Sequence, residues 1–200
     1  MPSLTKDVFA KSSPAGLKGI NAMPHSNMED DFNESGNRLL SPGQAVAMHC
    51  HHYNINLQKT LEDTLGPSGH ALMYRSAEEA IYHDFQLLLE RHQERQTVAS
   101  KLDLAAALYL HCGLGILRFE DITPSTGRII SPAGHHVTGW LAKHGRRETP
   151  GCHFSRGWMA GILEVVFNLP LGSIQVTETV CKMMRANNCI FHVTPGQTTE

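Results

Sequence analysis

Between residues 41 and 112 the apolar positions recur every three or four residues, the period of helices with one dry face. Ser41-Pro42-Gly43 opens the first such stretch, Gln44 to Leu65. Ser41 suits an N-cap and Pro42 a first turn, and Gly66-Pro67 ends the pattern. Ser76 then caps a second helix. Glu78 and Glu79 stand in its first turn, where the helix dipole favours acids. Ala80, Ile81, Phe85, Leu88 and Leu89 share a face, and the helix should run to about His92. "VASKLDLAAALYLHC" (98–112) predicts a third helix, stopped by Gly113 and Gly115. The period then becomes two. "GILRFEDI" alternates Ile116, Arg118 and Glu120 with Leu117, Phe119 and Asp121, a strand with one wet face. "RIIS" and "HHVTGWLAKH" predict further strands after the turn "TPSTG". "FSRGWMAGILEVVFN" returns to helical spacing, with Trp158, Ile162, Val165 and Val166 on one face and Pro170 and Gly172 closing it. "SIQVTETV" and "CIFHV" predict a terminal β-hairpin joined by "CKMMRANN", whose Asn187-Asn188 suits a turn. Helices followed by strands, then a helix and a hairpin, make an α+β fold with an antiparallel sheet.

Residues 1–40 break this order. "SSPAGLKGINAMPHSNMEDDFNESGN" is rich in Ser, Gly, Asn, Pro and charge, and its apolar residues have no period. They are read as a flexible tail or an arm on a partner, with one domain over 41–195. No internal repeat is visible.

Composition narrows the function classes. A formal charge of −2 over 200 residues gives no basic face for nucleic acid. There is no run of 18 apolar residues, so no membrane span is expected. The N-terminus lacks a signal-peptide core and the five cysteines are an odd number, which together predict a reducing cytoplasmic setting. There, grouped cysteines bind metal more often than they form disulfides.

Such a group stands in the hairpin, as Glu178-x2-Cys181-x7-Cys189. Cys181 ends one strand and Cys189 begins the next, and Cys152 precedes the helix that feeds the first. If that helix packs back on the sheet, three thiolates and a carboxylate form a closed tetrahedral set, for which zinc is the fitting metal. The site would then be structural, a staple on the hairpin. The x7 spacing is not that of a zinc finger, and buried cysteines are also ordinary small hydrophobes. A glutamate buried beside them without a cation would be costly.

The last forty residues carry a resemblance. Gly157, Trp158 and Gly161 on a helix, Val176, Glu178 and Cys181 on a strand, then Cys189 and Phe191, resemble the 4-vinyl reductase domain pattern G-[YW]-x-x-G, V-x-E-x-x-C, C-x-F. "LEDTLGPSGHALMYRSAEEA" (61–80) is similar to that family's lead into its second helix, and the N-terminal helix resembles the sensor domains of phenol- and toluene-responsive transcription activators. The likeness spans roughly 44–194. It implies zinc held by Cys152, Glu178, Cys181 and Cys189, a hydrophobic ligand enclosed between sheet and helices, and a tendency to dimerise. Relatives of the fold include vesicle-tethering subunits and haem-based nitric oxide sensors. The family name comes from a proposed role in bacteriochlorophyll synthesis. The sensor relatives continue into ATPase and DNA-binding domains; this chain, ending at Glu200, is expected not to activate transcription that way.

Other constellations are weaker. His49, His52, Tyr53 and Asn56 fall on one helical face, which could serve a second metal or a haem, or form a polar stripe at a surface or dimer interface. That helix, with Met48, Ile55 and Leu57 nearby, is the expected homodimer contact. Cys50 and Cys112 read as core thiols. There is no Ser/His/Asp arrangement, and "GLGILRF" lacks the helix a phosphate-binding loop needs. The expected ligand cavity lies between strands 116–142 and the helix 154–168. Phe119, Trp140 and Trp158 would supply its aromatic wall, and His135 or His136 would bond the ligand's polar group. The resulting expectation is a zinc-containing sensor or carrier of a small hydrophobic or aromatic molecule, signalling to a partner protein through binding-coupled ordering. The alternatives are an enzyme or accessory factor of tetrapyrrole or aromatic metabolism, with no nicotinamide or flavin fingerprint of its own, and a structural tethering subunit.

Overall fold

The computed structural model describes residues 49–196 continuously, together with 28, 30–33, 36, 38–41 and 45–47. Three short strands, β1 (Asp31–Asn33), β2 (Arg38–Leu40) and β3 (Ala45–Val46), form an antiparallel meander. Three helices follow: α1 (His51–Leu65), α2 (Pro67–Arg91) and α3 (Val98–His111). Then come β4 (Gly115–Glu120), β5 (Gly127–Gly134), α4 (His135–His144), α5 (His153–Val166), β6 (Ile174–Val180) and β7 (Cys189–Pro195). The main sheet is antiparallel in the order β4-β5-β7-β6. The expected α+β class and terminal hairpin are both present.

The core is built around α5, whose residues from Gly157 to Val166 are all buried. It packs on α2 with almost no spacer. A Cβ on Gly157 would strike the Tyr74 carbonyl, and one on Gly161 the Glu78 carbonyl. This gives the G-[YW]-x-x-G pattern a mechanical meaning: two glycines one turn apart clear a path for a second helix backbone. Tyr74 then ties α2 to the sheet, accepting from Val176 N at 3.1 Å and donating to Ile174 O at 3.4 Å.

Several expected boundaries are corrected. The first helix begins at His51 rather than Gln44; Ala45 and Val46 instead pair with Leu40 and Leu39. Ser41 does not cap it, and its Oγ lies 3.0 Å from His111 Nε2. Pro42, Gly43 and Gln44 lie outside the described residues. Pro67 does not end a helix so much as open α2 at its first turn, which therefore starts nine residues before Ser76. A proline's missing N–H is harmless in a first turn, so the same residue fits both readings. Of the span read as a tail, residues 1–27 lie outside the described residues, while 31–33 and 38–40 form β1 and β2.

The largest correction is "HHVTGWLAKH", expected as a strand and found as α4. Val, Thr and Trp favour strands, but His136, Val137, Trp140 and Leu141 are inward-facing at helical spacing. Gly139 lies against Ile55 of α1, so the two helices pack closely. Lys143 and His144 sit in the last turn, where the dipole favours cations, and Gly145 at φ 73° ends the helix.

Candidate metal centre and ligand cavity

Three elements deliver the four expected metal ligands. Cys152 is the residue before α5, Glu178 lies on β6, Cys181 follows the end of β6, and Cys189 is the first residue of β7. An irregularity in the β6–β7 pairing between Glu178 and Val180 shifts the register just before Cys181. A bulge of this kind re-aims the side chains beyond it. All four are buried, and their ligand atoms lie within 4.8 Å of one another.

The sulfur spacing tests whether a metal fits. Cys152 Sγ is 3.8 Å from Cys189 Sγ, which is 3.9 Å from Cys181 Sγ. A tetrahedral ion with bonds of about 2.3 Å places its sulfurs roughly 3.8 Å apart. Glu178 Oε2 accepts from the Cys152 backbone N–H at 2.9 Å, while its Oε1 is buried with no hydrogen-bond partner among the described residues. A carboxylate oxygen left bare beside three thiols is what a cation would satisfy. Without one, burial lifts the Glu178 carboxyl to about 7. The thiols donate to one another, with Cys181 driven down by the Cys152 and Cys189 S–H groups and Cys152 driven up by the same contact with Cys181. The cluster can hold a metal ion with no open position.

Next to it lies an ionic network that the sequence did not reveal. Glu62 Oε1 accepts from Gln58 Nε2 at 2.9 Å and Arg147 at 3.0 Å, and His153 Nε2 is 3.5 Å away. Burial would raise the Glu62 carboxyl, but His153, Gln58 and Arg147 outweigh it and hold it at about 2. His70 stacks on His153 with centroids 4.0 Å apart. Glu62, His70 and His153 also converge closely enough for a cation, but Arg147 already supplies one there. Gln58 additionally donates to Gly151 O at 2.8 Å, tying α1 to the metal loop.

Also walled by α1 and α2, and sharing Gln58 with that network, is a cavity of about 630 Å³. Leu61 of α1, Leu72 and Ile81 of α2, Leu108 of α3, Phe154 and Trp158 of α5 are among its walls. His135 and His136 reach it from the start of α4, their rings 3.8 Å apart. Both are buried; the Leu114 carbonyl stands near the His135 ring, and neither ring nitrogen of His136 has a hydrogen-bond partner among the described residues. Burial and then His51 depress His135 to about 4; burial and then His135 hold His136 well below its ordinary value. Both are therefore neutral imidazoles near pH 7, each with one donor and one acceptor to offer.

The cavity is not where the strands were expected to enclose it. It lies among the helices. His135, His136 and Trp158 do line it, but Phe119 and Trp140 do not. Phe119 is half-buried on β4, and Trp140 is buried beneath Arg147, whose guanidinium carbon is 4.6 Å from the ring centroid. His144 is exposed, 4.8 Å from Trp140 by ring centroids. His49 precedes α1 and stacks on exposed Tyr53 at 4.6 Å, and Asn56 accepts from Lys143, so this face forms no converging metal group among the described residues. Ile55, expected at a dimer contact, is fully buried. Three consecutive residues serve three places: Cys152 the thiol cluster, His153 the ionic network, Phe154 the cavity wall.

No protein-family model matches this chain, and no curated protein does. Among solved structures it is similar to the phenol-responsive sensory domain of the transcription activator PoxR, determined with phenol, at 17% identity and a TM-score of 0.71, covering 83% of this chain and 84% of that one. A vinyl-4-reductase family protein from Methanocaldococcus jannaschii is similar at 15% identity and a TM-score of 0.46, over 78% of this chain and 100% of that one. No helix among the described residues is long and apolar enough to cross a membrane. By its architecture, the chain has the fold of the phenol-responsive sensory domain.

Proposed function

We propose that this protein is a zinc-stapled binding domain that encloses a small hydrophobic molecule and carries it or reports it to a partner. The observation that carries the reading is the pair of buried, neutral histidines, His135 and His136, on the wall of a mostly apolar cavity. Buried polar groups without partners are costly, and a ligand hydroxyl or carbonyl would relieve them. Zinc at Cys152, Glu178, Cys181 and Cys189 would hold the start of α5 against the hairpin. That helix start also forms part of the cavity wall through Phe154, so the staple would support the site without touching the ligand. A solved neighbour determined with phenol is consistent with a ligand bearing one polar group.

Thermal-shift screening against phenols, other small aromatics, aliphatic alcohols and tetrapyrroles tests this, followed by titration of each hit into wild type and His136→Phe. Loss of the polar partner should weaken binding by about 1–3 kcal/mol. Trp140→Ala, outside the wall, should leave binding intact. If no compound in these classes raises the melting temperature, or if His136→Phe binds every hit unchanged, the reading is wrong.

A further inference from the structure

The wall of the cavity says more about its occupant than that it is apolar. We propose that the cavity takes an uncharged aliphatic amphiphile, a hydrocarbon chain of about eight or more carbons ending in one hydroxyl or carbonyl, in preference to a single aromatic ring. This rests on the cavity being the ligand site.

Volume is the first argument. At ~30 Å³ per water, a space of about 630 Å³ holds on the order of twenty water-sized groups. A phenol-sized molecule, with about seven non-hydrogen atoms, would fill roughly a third of it, leaving most wall atoms without a partner in van der Waals contact. The second argument is the chemistry of the wall. Among the described residues six leucines line it, at positions 57, 61, 72, 88, 108 and 114, against two aromatic rings besides the imidazoles, Phe154 and Trp158. Flexible branched side chains conform to a chain, whereas selection of a flat ring calls for rings above and beside it. The third argument is charge. Among the described residues no lysine or arginine lines the cavity, and the one carboxylic acid on its wall is Asp84. A carboxylate or phosphate end would be desolvated with no cation to meet it. A hydroxyl, in contrast, carries no charge to desolvate, and a neutral imidazole of His135 or His136 can pair with it after a small turn of the ring.

The test is calorimetric titration of the full chain with 1-butanol, 1-hexanol, 1-octanol and 1-decanol, with phenol and decanoate for comparison. Affinity should rise about three- to fourfold per added methylene as chain is buried. Decanol should bind at least tenfold more tightly than decanoate at pH 8, and octanol more tightly than phenol. Ala80→Leu, which narrows the wall from the exposed side of α2, should weaken decanol more than butanol, and His136→Phe should weaken all four alcohols alike; both variants are first checked by thermal melt. A flat dependence on chain length, phenol binding more tightly than octanol, or decanoate matching decanol overturns this inference while leaving a ligand-binding cavity in place. Alcohol binding untouched by both variants also overturns it, since the chain would then sit elsewhere. If neither phenol nor any alcohol binds, the cavity is not a ligand site, and the broader reading falls too.

Discussion

Replacing Glu178 by glutamine gives opposite signs with and without a metal. The substitution keeps the side-chain shape and an oxygen for the Cys152 N–H, 2.9 Å away, but removes the charge. In a metal-free cluster the carboxyl titrates at about 7, raised by burial. Its folded value then lies above the unfolded value near 4.5. Stability is therefore full below pH 4.5 and falls as pH rises through 7. The shift of about 2.5 units corresponds to roughly 3 kcal/mol at pH 8, which Glu178→Gln would recover. With zinc bound the charge is a ligand. Structural zinc contributes about 10–16 kcal/mol, so one ligand in four is worth about 2.5–4 kcal/mol, and the same substitution destabilises. At about 2–4 °C per kcal/mol for a chain of this size, the expected outcome is a melting temperature lowered by roughly 5–16 °C at pH 8. Differential scanning calorimetry on protein purified without added metal, paired with elemental analysis, measures both. A Glu178→Gln protein that melts higher than wild type, with no metal in either, would refute the zinc assignment.

Three other outcomes follow from the packing and the charges. Glu62 is held at about 2, below its ordinary 4.5, so its contribution is present above pH 4.5 and is lost as pH falls toward 2; Glu62→Gln should flatten that part of the difference in urea stability by about 3 kcal/mol, and an unchanged acid limb would show the network is not what holds it. Gly157→Ala sets a methyl against the Tyr74 carbonyl of α2, a backbone atom that cannot swing aside; it should cost about 3 kcal/mol in chemical denaturation, and a loss under 0.5 kcal/mol would mean α2 and α5 separate freely. Tyr53 stands exposed on α1 outside the cavity, so if α1 is the expected subunit contact light scattering at micromolar concentration should give twice the chain mass and Tyr53→Asp should halve it; a monomeric wild type removes α1 as a subunit contact.

The thiol cluster was readable from sequence because its chemistry is local. Two cysteines flank one hairpin, a glutamate stands three residues upstream, and a strand order of β5-β7-β6 leaves them few other places to go. The cavity was not readable in the same way. Its walls are the sides of α1 and α2 on which Leu57 and Leu72 remain exposed, positions that sequence reasoning assigns to solvent. Its polar pair sits at the first two residues of α4, a segment whose Val, Thr and Trp gave it the character of a strand. Once α4 is a helix, Trp140 turns away to Arg147 and the expected aromatic wall dissolves. The Glu62 network escaped because it joins α1, α2, the loop at Arg147 and α5, four segments with no shared period.

The position of β7 has a consequence for biosynthesis. It is made after β4, β5 and β6, yet it occupies an interior place in their sheet, hydrogen-bonded to β5 on one side and β6 on the other, and it opens with Cys189. While the nascent chain is still shorter than this segment, α2 and α5 can pack, but β5 and β6 have no neighbour to join them and the thiol cluster lacks a member. Two strand edges and an incomplete set of sulfurs stay open until residues 189–195 leave the ribosome, an interval in which such edges invite pairing with other chains. A synthesis stalled before Cys189 would therefore yield a helical fragment with an open sheet, a substrate for chaperones and proteases rather than a smaller version of the folded domain.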